Sequence, residues 1–317
     1  MTASPSETDN FSGSRFGNKA AGFDAPTQLP QGEEQRRQWQ RANKTWWEST
    51  PMRYDWRSEI AAAPGSKEYF EEVDRRFLSS ASKYLPWTNV PFDALIPFAE
   101  LADKDVLEVG VGQGTHAQLI APRCKSFTGI DLTEHAAGMA AKRLAVFGIP
   151  GRVMRMDAEE MTFPDHSFDY IWSWGVIHHS ADTRRILEQM RRVLRPRGRC
   201  TVMVYYRSWW TFYVCGLMRR LFDRGFRRDR GLHGVAQAAT DGAIARYYSL
   251  RDWRALNAGL FKIDRLQIYG LKSELVPLPH GALKSALERL LPDTLARVLL
   301  RQLRMGSFLV AQMSKED

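Results

Sequence analysis

The sequence predicts an α/β fold in which helices cover both faces of a doubly wound, mostly parallel sheet. Two patterns carry this prediction. Between residues 105 and 206, short apolar runs of strand length alternate with helical stretches, the order typical of βαβ units. A glycine-rich turn, Gly110 to Gly114, joins the first of these strands to the first helix. At about 150 residues per domain, 317 residues provide two domains or one large domain with appendages.

The N-terminal part of the chain is expected to be a tail followed by two helices. Residues 1–33 are polar and rich in Ser, Gly and Pro without apolar periodicity, which predicts a flexible tail. Trp39, Trp46 and Trp47 recur at helical spacing and predict a helix from Glu33. The apolar stripe within 69–78 predicts a second helix, capped at its N-terminus by Ser66.

Five strands and three helices are predicted next, because short β-rich runs are separated by capped helical stretches. The strands are 106–110, 126–131, 153–158, 168–175 and 199–206, and the helices are 115–122, 133–147 and 183–194.

The pattern is looser after Tyr206. It predicts a helix over 208–222, an Arg- and Gly-rich linker to Gly242, a helix over 249–259, a strand over 262–269, helices over 281–304 around Pro292 and a last strand over 307–313. We therefore divide the chain into a tail (1–33), a helical N-terminal segment that covers the acceptor site (34–90) and a main domain (91–317) with a lid insertion at 207–250.

Composition excludes several classes of protein. The longest nearly unbroken apolar stretch, 209–218, is about half of what a helix needs to span a bilayer. The polar N-terminus does not resemble a secretory signal. The three widely spaced cysteines form no CxxC pair and no disulfide framework, which suits the cytoplasm. No His, Asp and Glu cluster has metal-ligand spacing, and we expect no metal.

The net charge of +9 is concentrated in one stretch. Residues 184–230 contain 14 Arg against Glu188, Asp223 and Asp229, a local net charge of +11, so the rest of the chain is nearly neutral. A basic stretch of this kind suggests nucleic acid or an anionic membrane surface as a partner.

The pattern Glu108-x-Gly110-x-Gly112-x-Gly114 indicates a site that holds a nucleotide-like ligand. Asp131 ends the next strand, where a carboxylate can bind ribose hydroxyls. A glycine-rich turn followed by an acidic residue at the end of the next strand occurs both in sheets that bind NAD and in sheets that bind S-adenosylmethionine. The third glycine lies one residue too early for the dinucleotide pattern, and the Glu108 carboxylate would repel phosphate but suits the cationic groups of S-adenosylmethionine. Asp157 follows the third strand, where it can accept from an adenine amino group.

Four segments resemble the successive motifs of class I S-adenosylmethionine-dependent methyltransferases, especially those that methylate small molecules such as quinones and sterols. They are VLEVGVGQG, GIDLT, MDAEEMTFPDHSFDYIWSWGVIHH and RRILEQMRRVLRPRGRCTVMVYY. The resemblance covers about residues 85–206. It implies a Rossmann-like seven-stranded sheet in the order 3-2-1-4-5-7-6 with the seventh strand antiparallel.

The resemblance also implies which residues bind the cofactor. The residues expected around the methionine moiety, the ribose, the adenine and the sulfonium are Glu108, Gly110, Gly112, Gly114, Asp131, Leu132, Asp157, Ala158, Trp174 and Gly175. His116, at the start of the helix after the glycine turn, is a further candidate for the cofactor carboxylate.

A base is needed only if the acceptor must lose a proton. His178 and His179 follow the fourth strand at the edge where ligands of such sheets bind, and either could take that proton or be structural. His135, His166, His233 and His280 have no partner pattern and are expected at the surface.

The acceptor is expected between two aromatic-rich segments, 46–77 and 208–250. Their residues either line an apolar pocket or pack the lid onto the sheet. As substrate residues we predict Tyr54, Trp56, Trp209, Tyr213 and Tyr247. The apolar run 208–222, followed by arginines up to Arg230, is either a lid helix with solvated arginines or a helix that docks on anionic lipid, which would make the protein peripheral to a membrane.

The favoured function is methylation of a small, hydrophobic or aromatic acceptor on O, N or C, with S-adenosylhomocysteine as the product. The alternatives are an RNA methyltransferase that uses the arginines of 184–230, a non-catalytic cofactor-binding protein and an NAD-dependent oxidoreductase. A nucleic-acid partner is less favoured, because the segment after the fourth strand reads Ser173-Trp-Gly-Val and lacks an amino-methylation motif.

Overall fold

The computed structural model describes residues 19–54, 58–85, 87–222, 231–278 and 281–316. Seven strands form one sheet. They are β1 (Asp105–Val109), β2 (Ser126–Asp131), β3 (Arg152–Arg155), β4 (Phe168–Trp174), β5 (Leu194–Tyr205), β6 (Lys262–Tyr269) and β7 (Phe308–Ser314). The helices are α1 (Gly32–Ser49), α2 (Lys67–Ala81), α3 (Thr115–Ile120), α4 (Glu134–Val146), α5 (Thr183–Val193), α6 (Cys215–Phe222), α7 (Leu232–Ala238), α8 (Leu250–Asn257), α9 (Ala282–Leu290) and α10 (Asp293–Arg297).

The strands lie in the order β3-β2-β1-β4-β5-β7-β6. Strands β1 to β5 pair in parallel, and β7 is antiparallel to both of its neighbours. The predicted fold class and strand order are therefore confirmed. This arrangement brings the carboxyl ends of β1, β2, β4 and β5 to one edge, where sheets of this kind bind their ligands.

Each face of the sheet carries a buried apolar core. On one face, Ile186, Leu187 and Met190 of α5 pack with Trp253 of α8. On the other, Ile120 of α3 and Leu144 of α4 pack with aromatic side chains of the N-terminal part, including Phe77 and Phe92.

The first two helices form as the sequence predicts. Helix α1 buries Trp39 and Trp46. The Ser66 side chain accepts from the Tyr69 N–H and caps α2, as predicted.

The flexible tail predicted for 1–33 is wrong for residues 19–31; residues 1–18 lie outside the described part of the chain. The Trp39 indole donates to the carbonyl oxygen of Ala21 at 2.8 Å, and the ring of the buried Phe23 packs on that of Trp39 at 5.3 Å. The Lys19 ammonium donates to the carbonyl oxygen of Gln237 at 2.5 Å. Because these partners lie far away in the sequence, local composition alone could not show them.

Several elements differ from the predicted bounds. Strand β5 starts at Leu194 instead of 199. Strand β3 ends at Arg155 instead of 158, because the Asp157 carboxylate accepts from the Glu159 N–H and starts a short 3-10 helix, Ala158–Glu160. The stretch predicted as a linker to Gly242 contains α7. A π-helix, Trp209–Val214, leads into α6, and a second one, Val298–Gln302, follows α10.

Candidate active site

A cavity of about 600 Å³ opens at the carboxyl edge of β1, β2, β4 and β5, beneath α1 and α2. The glycine turn and two carboxylates line one part of it, and aromatic side chains line another. Of the predicted cofactor residues, the cavity brings together Gly110, Gly112, His116, Asp131, Leu132, Asp157, Ala158, Trp174 and Gly175.

All three glycines of the turn, Gly110, Gly112 and Gly114, have positive φ. Gly110 has φ 78°, and a Cβ there would lie 2.3 Å from the Val176 side chain, so only glycine fits. Gly112 has φ 54°, and a Cβ there would meet no atom within 4 Å. The turn therefore presents bare backbone to the cavity at Gly112.

The Asp131 carboxylate is fixed by the turn itself. One oxygen accepts from the Gly112 N–H at 3.1 Å, and the other accepts from the Thr133 N–H at 3.0 Å and the Thr133 hydroxyl at 2.9 Å. Burial raises the pKa of Asp131, and the two backbone donors act against that rise. The oxygen that accepts from the Gly112 N–H keeps a lone pair for a hydroxyl donor in the cavity, whereas Thr133 uses both lone pairs of the other.

Glu108 lies behind the glycine turn, and neither Glu108 nor Gly114 lines the cavity. The Glu108 side chain is buried, with one oxygen 3.6 Å from the His116 Nδ1 and the other without a hydrogen-bond partner. Burial raises the pKa of Glu108 well above its usual value, and the nearby Asp131 carboxylate raises it further. Burial therefore favours the neutral form of Glu108, and a positively charged group nearby would favour the ionised form.

Asp157 is bound by the side chain of Gln40 in α1. Its Oδ1 accepts from the Gln40 amide at 2.9 Å and from the Glu159 N–H at 2.9 Å. The Gln40 side-chain oxygen, Oε1, in turn accepts from the Ala181 N–H at 3.2 Å. Gln40 also lines the cavity; we predicted from the sequence that this segment covers the acceptor site, but not that Gln40 would bind Asp157.

The second helix is bound to the glycine turn through Asp74. Its Oδ1 accepts from the Thr115 hydroxyl and from the buried Arg143 guanidinium, both at 2.7 Å. The Gln113 amide, within the turn, donates to the carbonyl oxygen of Met52 at 2.8 Å. The N-terminal segment therefore covers the site through specific polar contacts.

The two histidines after β4 differ in their access to the cavity. His179 lines it, and the His179 Nδ1 lies 2.6 Å from the carbonyl oxygen of Ile244. His178 is fully buried against the Tyr205 ring, with centroids 4.0 Å apart, and neither of its ring nitrogens has a partner. Burial lowers the pKa of His179 to about 4 and that of His178 well below its usual value. Both rings are therefore neutral at pH 7.

His116 lines the cavity from within an aromatic cluster. Its ring lies 4.7 Å from that of Phe92 and 5.3 Å from that of Trp172. Burial lowers the pKa of His116 to about 3. A neutral ring in this cluster is a poor partner for a ligand carboxylate.

Among the predicted substrate residues, only Tyr54 lines the cavity; Trp56 lies outside the described residues. Trp209 and Tyr213 point outward and are 49% and 45% exposed. Tyr247 is buried, stacked on Tyr205 at 5.4 Å. Helical periodicity predicted the helix but not which of its sides would face the sheet.

Several aromatic residues of the cavity were not predicted as site residues. They come from four parts of the chain and meet only in the fold: Trp47, Tyr84, Tyr205 and Phe308. Their only sequence signal is the position of Trp47 within the aromatic-rich segment and that of Tyr205 at the end of a predicted strand.

Most of the described arginines of the basic stretch contact protein acceptors. Arg195 pairs with Asp105 at 2.9 Å and with Asp169 at 2.5 Å, and Arg192 pairs with Asp165 at 2.7 Å. Arg184 donates to the carbonyl oxygen of Leu256 at 2.7 Å and Arg191 to that of Leu260 at 2.8 Å. These side chains stabilise the fold. The arginines within 223–230 lie outside the described residues.

One of the four histidines expected at the surface is buried. His233 packs edge-on against Phe23 at 5.0 Å, and burial lowers its pKa to about 4. His166 is exposed, His135 is half-buried at the cavity, and His280 lies outside the described residues.

The described ranges contain neither a membrane-spanning helix nor a group of metal ligands. No helix there combines the length and apolar character needed to cross a bilayer. No three His, Cys, Asp or Glu side chains there are grouped as a metal ion requires.

Comparisons with known proteins agree on one domain. Residues 107–202 match the sequence profile of a family described as methyltransferase domain. An uncharacterized methyltransferase of Bacillus subtilis, YcgJ, is 31% identical over 106 residues, which cover 33% of this chain and 42% of that protein. A phosphatidylethanolamine N-methyltransferase of Cereibacter sphaeroides is 28% identical over 152 residues, which cover 47% of this chain and 63% of that protein. In both, the match spans less than two thirds of the relative.

A solved structure extends the likeness to most of the fold. The 4+2 cyclase SpnF superposes with a TM-score of 0.51 at 15% identity, covering 92% of this chain and 99% of that one. At this identity the likeness is one of fold.

Proposed function

We propose that this chain, which belongs to the class I S-adenosylmethionine-dependent methyltransferase family, transfers a methyl group from S-adenosylmethionine to a small, hydrophobic or aromatic acceptor. One observation carries the proposal. The same cavity holds the glycine turn and the carboxylates of Asp131 and Asp157, and also the aromatic side chains of Tyr84 and Phe308. A donor and an acceptor can therefore occupy one enclosed space, as a direct transfer requires.

The residues of the turn fit the cofactor. Asp131 would accept from the ribose hydroxyls, and Gly112 leaves its backbone open for a close approach. Asp157 and Ala158 would meet the adenine edge. Burial favours the neutral form of Glu108, and the ammonium and sulfonium groups would favour its ionised form on binding, so that Glu108 would supply negative potential to the bound cofactor. When bound, the cofactor supplies an activated methyl group, and the acceptor must be aligned with it and kept from water.

His179 is the proposed base for an acceptor that must lose a proton. If its Nδ1–H donates to the Ile244 carbonyl, the Nε2 is left as an acceptor. The neutral ring at pH 7 is the form that can take a proton. His178 is proposed as a structural residue, because its ring packs on Tyr205 and does not line the cavity.

The aromatic part of the cavity is the proposed acceptor site. Tyr84 packs on Phe308 at 5.3 Å, and Tyr205 lies 6.3 Å from Phe308. Trp47 closes the site from α1, its ring 5.0 Å from that of His179. Apolar walls with a few polar groups suit a small organic acceptor.

Titration calorimetry with S-adenosylhomocysteine and with NADH tests the cofactor assignment. We expect binding of S-adenosylhomocysteine and none of NADH. Binding of NADH alone would refute the proposal and favour an oxidoreductase.

Incubation with methyl-labelled S-adenosylmethionine and separate small-molecule, lipid and RNA extracts tests the acceptor class. We expect label in a small-molecule or lipid fraction. Label in RNA alone would favour an RNA methyltransferase. The arginines of 184–195 that suggested RNA binding contact carboxylates or carbonyl oxygens of the protein, which weakens that alternative. Cofactor binding without label in any fraction would favour the alternative of a non-catalytic cofactor-binding protein.

A further inference from the structure

Two segments carry most of the exposed apolar surface of the described chain. Eleven of its thirteen exposed large hydrophobic side chains lie within 209–222 and 281–304. Together we name them the apolar face: Trp209, Tyr213, Leu217, Leu221, Phe222, Leu283, Leu287, Leu290, Leu295, Val298 and Leu303. Apolar side chains gathered in this way indicate a contact surface.

The helical spacing shows that these side chains point outward as a set. In the first segment, Trp209, Tyr213, Leu217 and Leu221 recur every four residues and are exposed, whereas Phe212, Cys215 and Gly216 face the protein and are buried. In α9, the leucines at 283, 287 and 290 form one stripe, and α9 buries none of its residues. These are amphipathic helices whose apolar sides are uncovered within the described chain.

The two segments are neighbours in space. The Trp209 indole donates to the carbonyl oxygen of Leu303 at 2.9 Å, and the Ser208 hydroxyl donates to that of Met305 at 2.9 Å. The start of the π-helix before α6 is therefore fixed to the loop that follows the second π-helix. Burial raises the pKa of the Cys215 thiol of α6, and the Lys284 ammonium of α9 lies near enough to act against that rise, so the two exposed segments lie beside each other on this side of the protein.

The charge of this side is positive. The two segments contain seven basic residues, Arg219, Arg220, Lys284, Arg289, Arg297, Arg301 and Arg304, against Glu288 and Asp293. Asp293 pairs with Lys272 at 2.7 Å. An apolar stripe with basic residues beside it matches the surface of an anionic bilayer. A second copy of this chain would bring like charges together.

The apolar face adjoins the acceptor part of the cavity. The Trp210 indole donates to the carbonyl oxygen of Glu274 at 2.9 Å, and the Glu274 carboxylate accepts from the N–H of Leu271, which lines the cavity. Arg301 donates to the carbonyl oxygen of Tyr84 at 3.0 Å, and Tyr84 also lines the cavity. A molecule dissolved in lipid at this face would have a short path to the acceptor site.

We propose that the apolar face docks on the surface of an anionic phospholipid bilayer and places the acceptor part of the cavity beside the lipid. The acceptor would then be a lipid or a lipid-soluble molecule taken from the membrane. This inference rests on the proposed function for the acceptor, but the docking itself does not depend on methyl transfer.

Co-sedimentation of the full chain with vesicles tests the docking. The vesicles are phosphatidylglycerol or, as the uncharged comparison, phosphatidylcholine. We expect binding to phosphatidylglycerol that is reduced about tenfold in Leu217→Gln with Leu290→Gln, since two interfacial leucines are lost. The matched control is Leu29→Gln with Val146→Gln, which changes two exposed apolar residues outside the apolar face. Arg219→Gln with Arg289→Gln should also weaken binding, more so at low salt.

Three results would overturn the docking proposal. The first is no binding to either kind of vesicle, and the second is equal vesicle binding by the test pair (Leu217→Gln with Leu290→Gln) and the control pair. The third is a dimer in analytical ultracentrifugation that only the test pair dissociates, while vesicle binding by the test pair stays unchanged. Calorimetry with S-adenosylhomocysteine is run without lipid on the same variants. A loss of cofactor binding there would therefore be seen separately from a loss of docking.

Discussion

The His179 Nδ1 lies 2.6 Å from the carbonyl oxygen of Ile244, so a residue 65 positions later along the chain orients the ring that follows β4. With the Nδ1–H donating, the Nε2 is left as the proton acceptor. The contact separates two adjacent histidines that the sequence alone could not tell apart.

The pH dependence of stability should reflect the buried histidines. Burial lowers the pKa of His179 to about 4 and that of His233 to about 4, whereas the unfolded chain titrates near 6.5. Below pH 6.5 the unfolded state binds more protons, so this contribution to stability is present above 6.5 and is lost as the pH falls toward 4. Thermal unfolding followed from pH 8 to pH 4 should show a falling Tm below 6.5.

The Tm of the variant His233→Gln should fall less steeply than that of the wild type over the same pH window, because one buried imidazole is removed. A Tm profile identical to that of the wild type would contradict the assignment of His233 to this effect.

Gly242 sets the space for His179. It has φ 89°, and a Cβ there would lie 2.6 Å from the His179 Nδ1. Gly242→Ala should therefore displace the ring and lower kcat about tenfold or more for an acceptor that needs a base, since general-base catalysis contributes about 10²- to 10⁴-fold. The affinity for S-adenosylhomocysteine should be unchanged. Gly259→Ala is the matched control, because it shares the positive φ but meets no atom within 4 Å.

A loss of activity of the same size in Gly259→Ala would mean that backbone strain, and not the contact with His179, explains the result. An acceptor that needs no base should be methylated at similar rates by the wild type and by Gly242→Ala.

Many of the residues proposed to bind the cofactor could be predicted from the sequence, because they lie at the ends of strands that follow one another along the chain. The strand before Gly110 and the strand that ends at Asp131 are adjacent in a βαβ unit, so their ends must meet. The hydrogen bond from the Gly112 N–H to Asp131 shows that they do.

The segment that covers the site was predicted, but the contacts that attach it were not, because they join distant parts of the sequence. Gln40 reaches Asp157 across 117 positions of the sequence, and Tyr84 packs on Phe308. Nothing local distinguishes these residues from other polar or aromatic side chains of a helix or loop. Periodicity likewise placed Trp209 on a helix but not on the side of that helix that faces outward.

The glycine turn gives a direct test of the cofactor site. Gly112 presents open space where a Cβ would stand, at φ 54°. Gly112→Ala should leave the fold in place, at a cost of about 1 kcal/mol for the left-handed conformation, but place a methyl group where the ligand approaches. We expect the affinity for S-adenosylhomocysteine in calorimetry to fall about tenfold or more, a loss of about 1.4 kcal/mol. Gly148→Ala, also at positive φ with no atom near its Cβ, is the control and should bind normally.

Asp131→Asn tests the other half of that site. The change removes the charge and turns one oxygen into a donor, which cannot accept from the Gly112 N–H or the Thr133 N–H at that position. We expect S-adenosylhomocysteine to bind about ten- to a hundredfold more weakly, since hydrogen bonds to charged groups contribute about 1.5–3 kcal/mol. Binding equal to that of the wild type would show that Asp131 holds only the turn.

Asp74 should be the residue on which the attachment of α2 depends most. Its carboxylate is the counter-charge of Arg143, whose side chain is fully buried, and it also holds the Thr115 hydroxyl beside the glycine turn. Asp74→Ala would leave the guanidinium buried without its partner, and breaking a buried pair from one side costs about 3–5 kcal/mol. We expect a lower Tm and weaker binding of S-adenosylhomocysteine, because α2 and the turn lose their shared contact. Glu71→Ala, on the same helix, is the control, because Glu71 pairs with Lys67 at 3.9 Å and both side chains are exposed. An exposed pair contributes about 0–1 kcal/mol, so Glu71→Ala should change the Tm little. Equal losses in the two variants would show that α2 is held by its apolar side chains and not by the pair with Arg143.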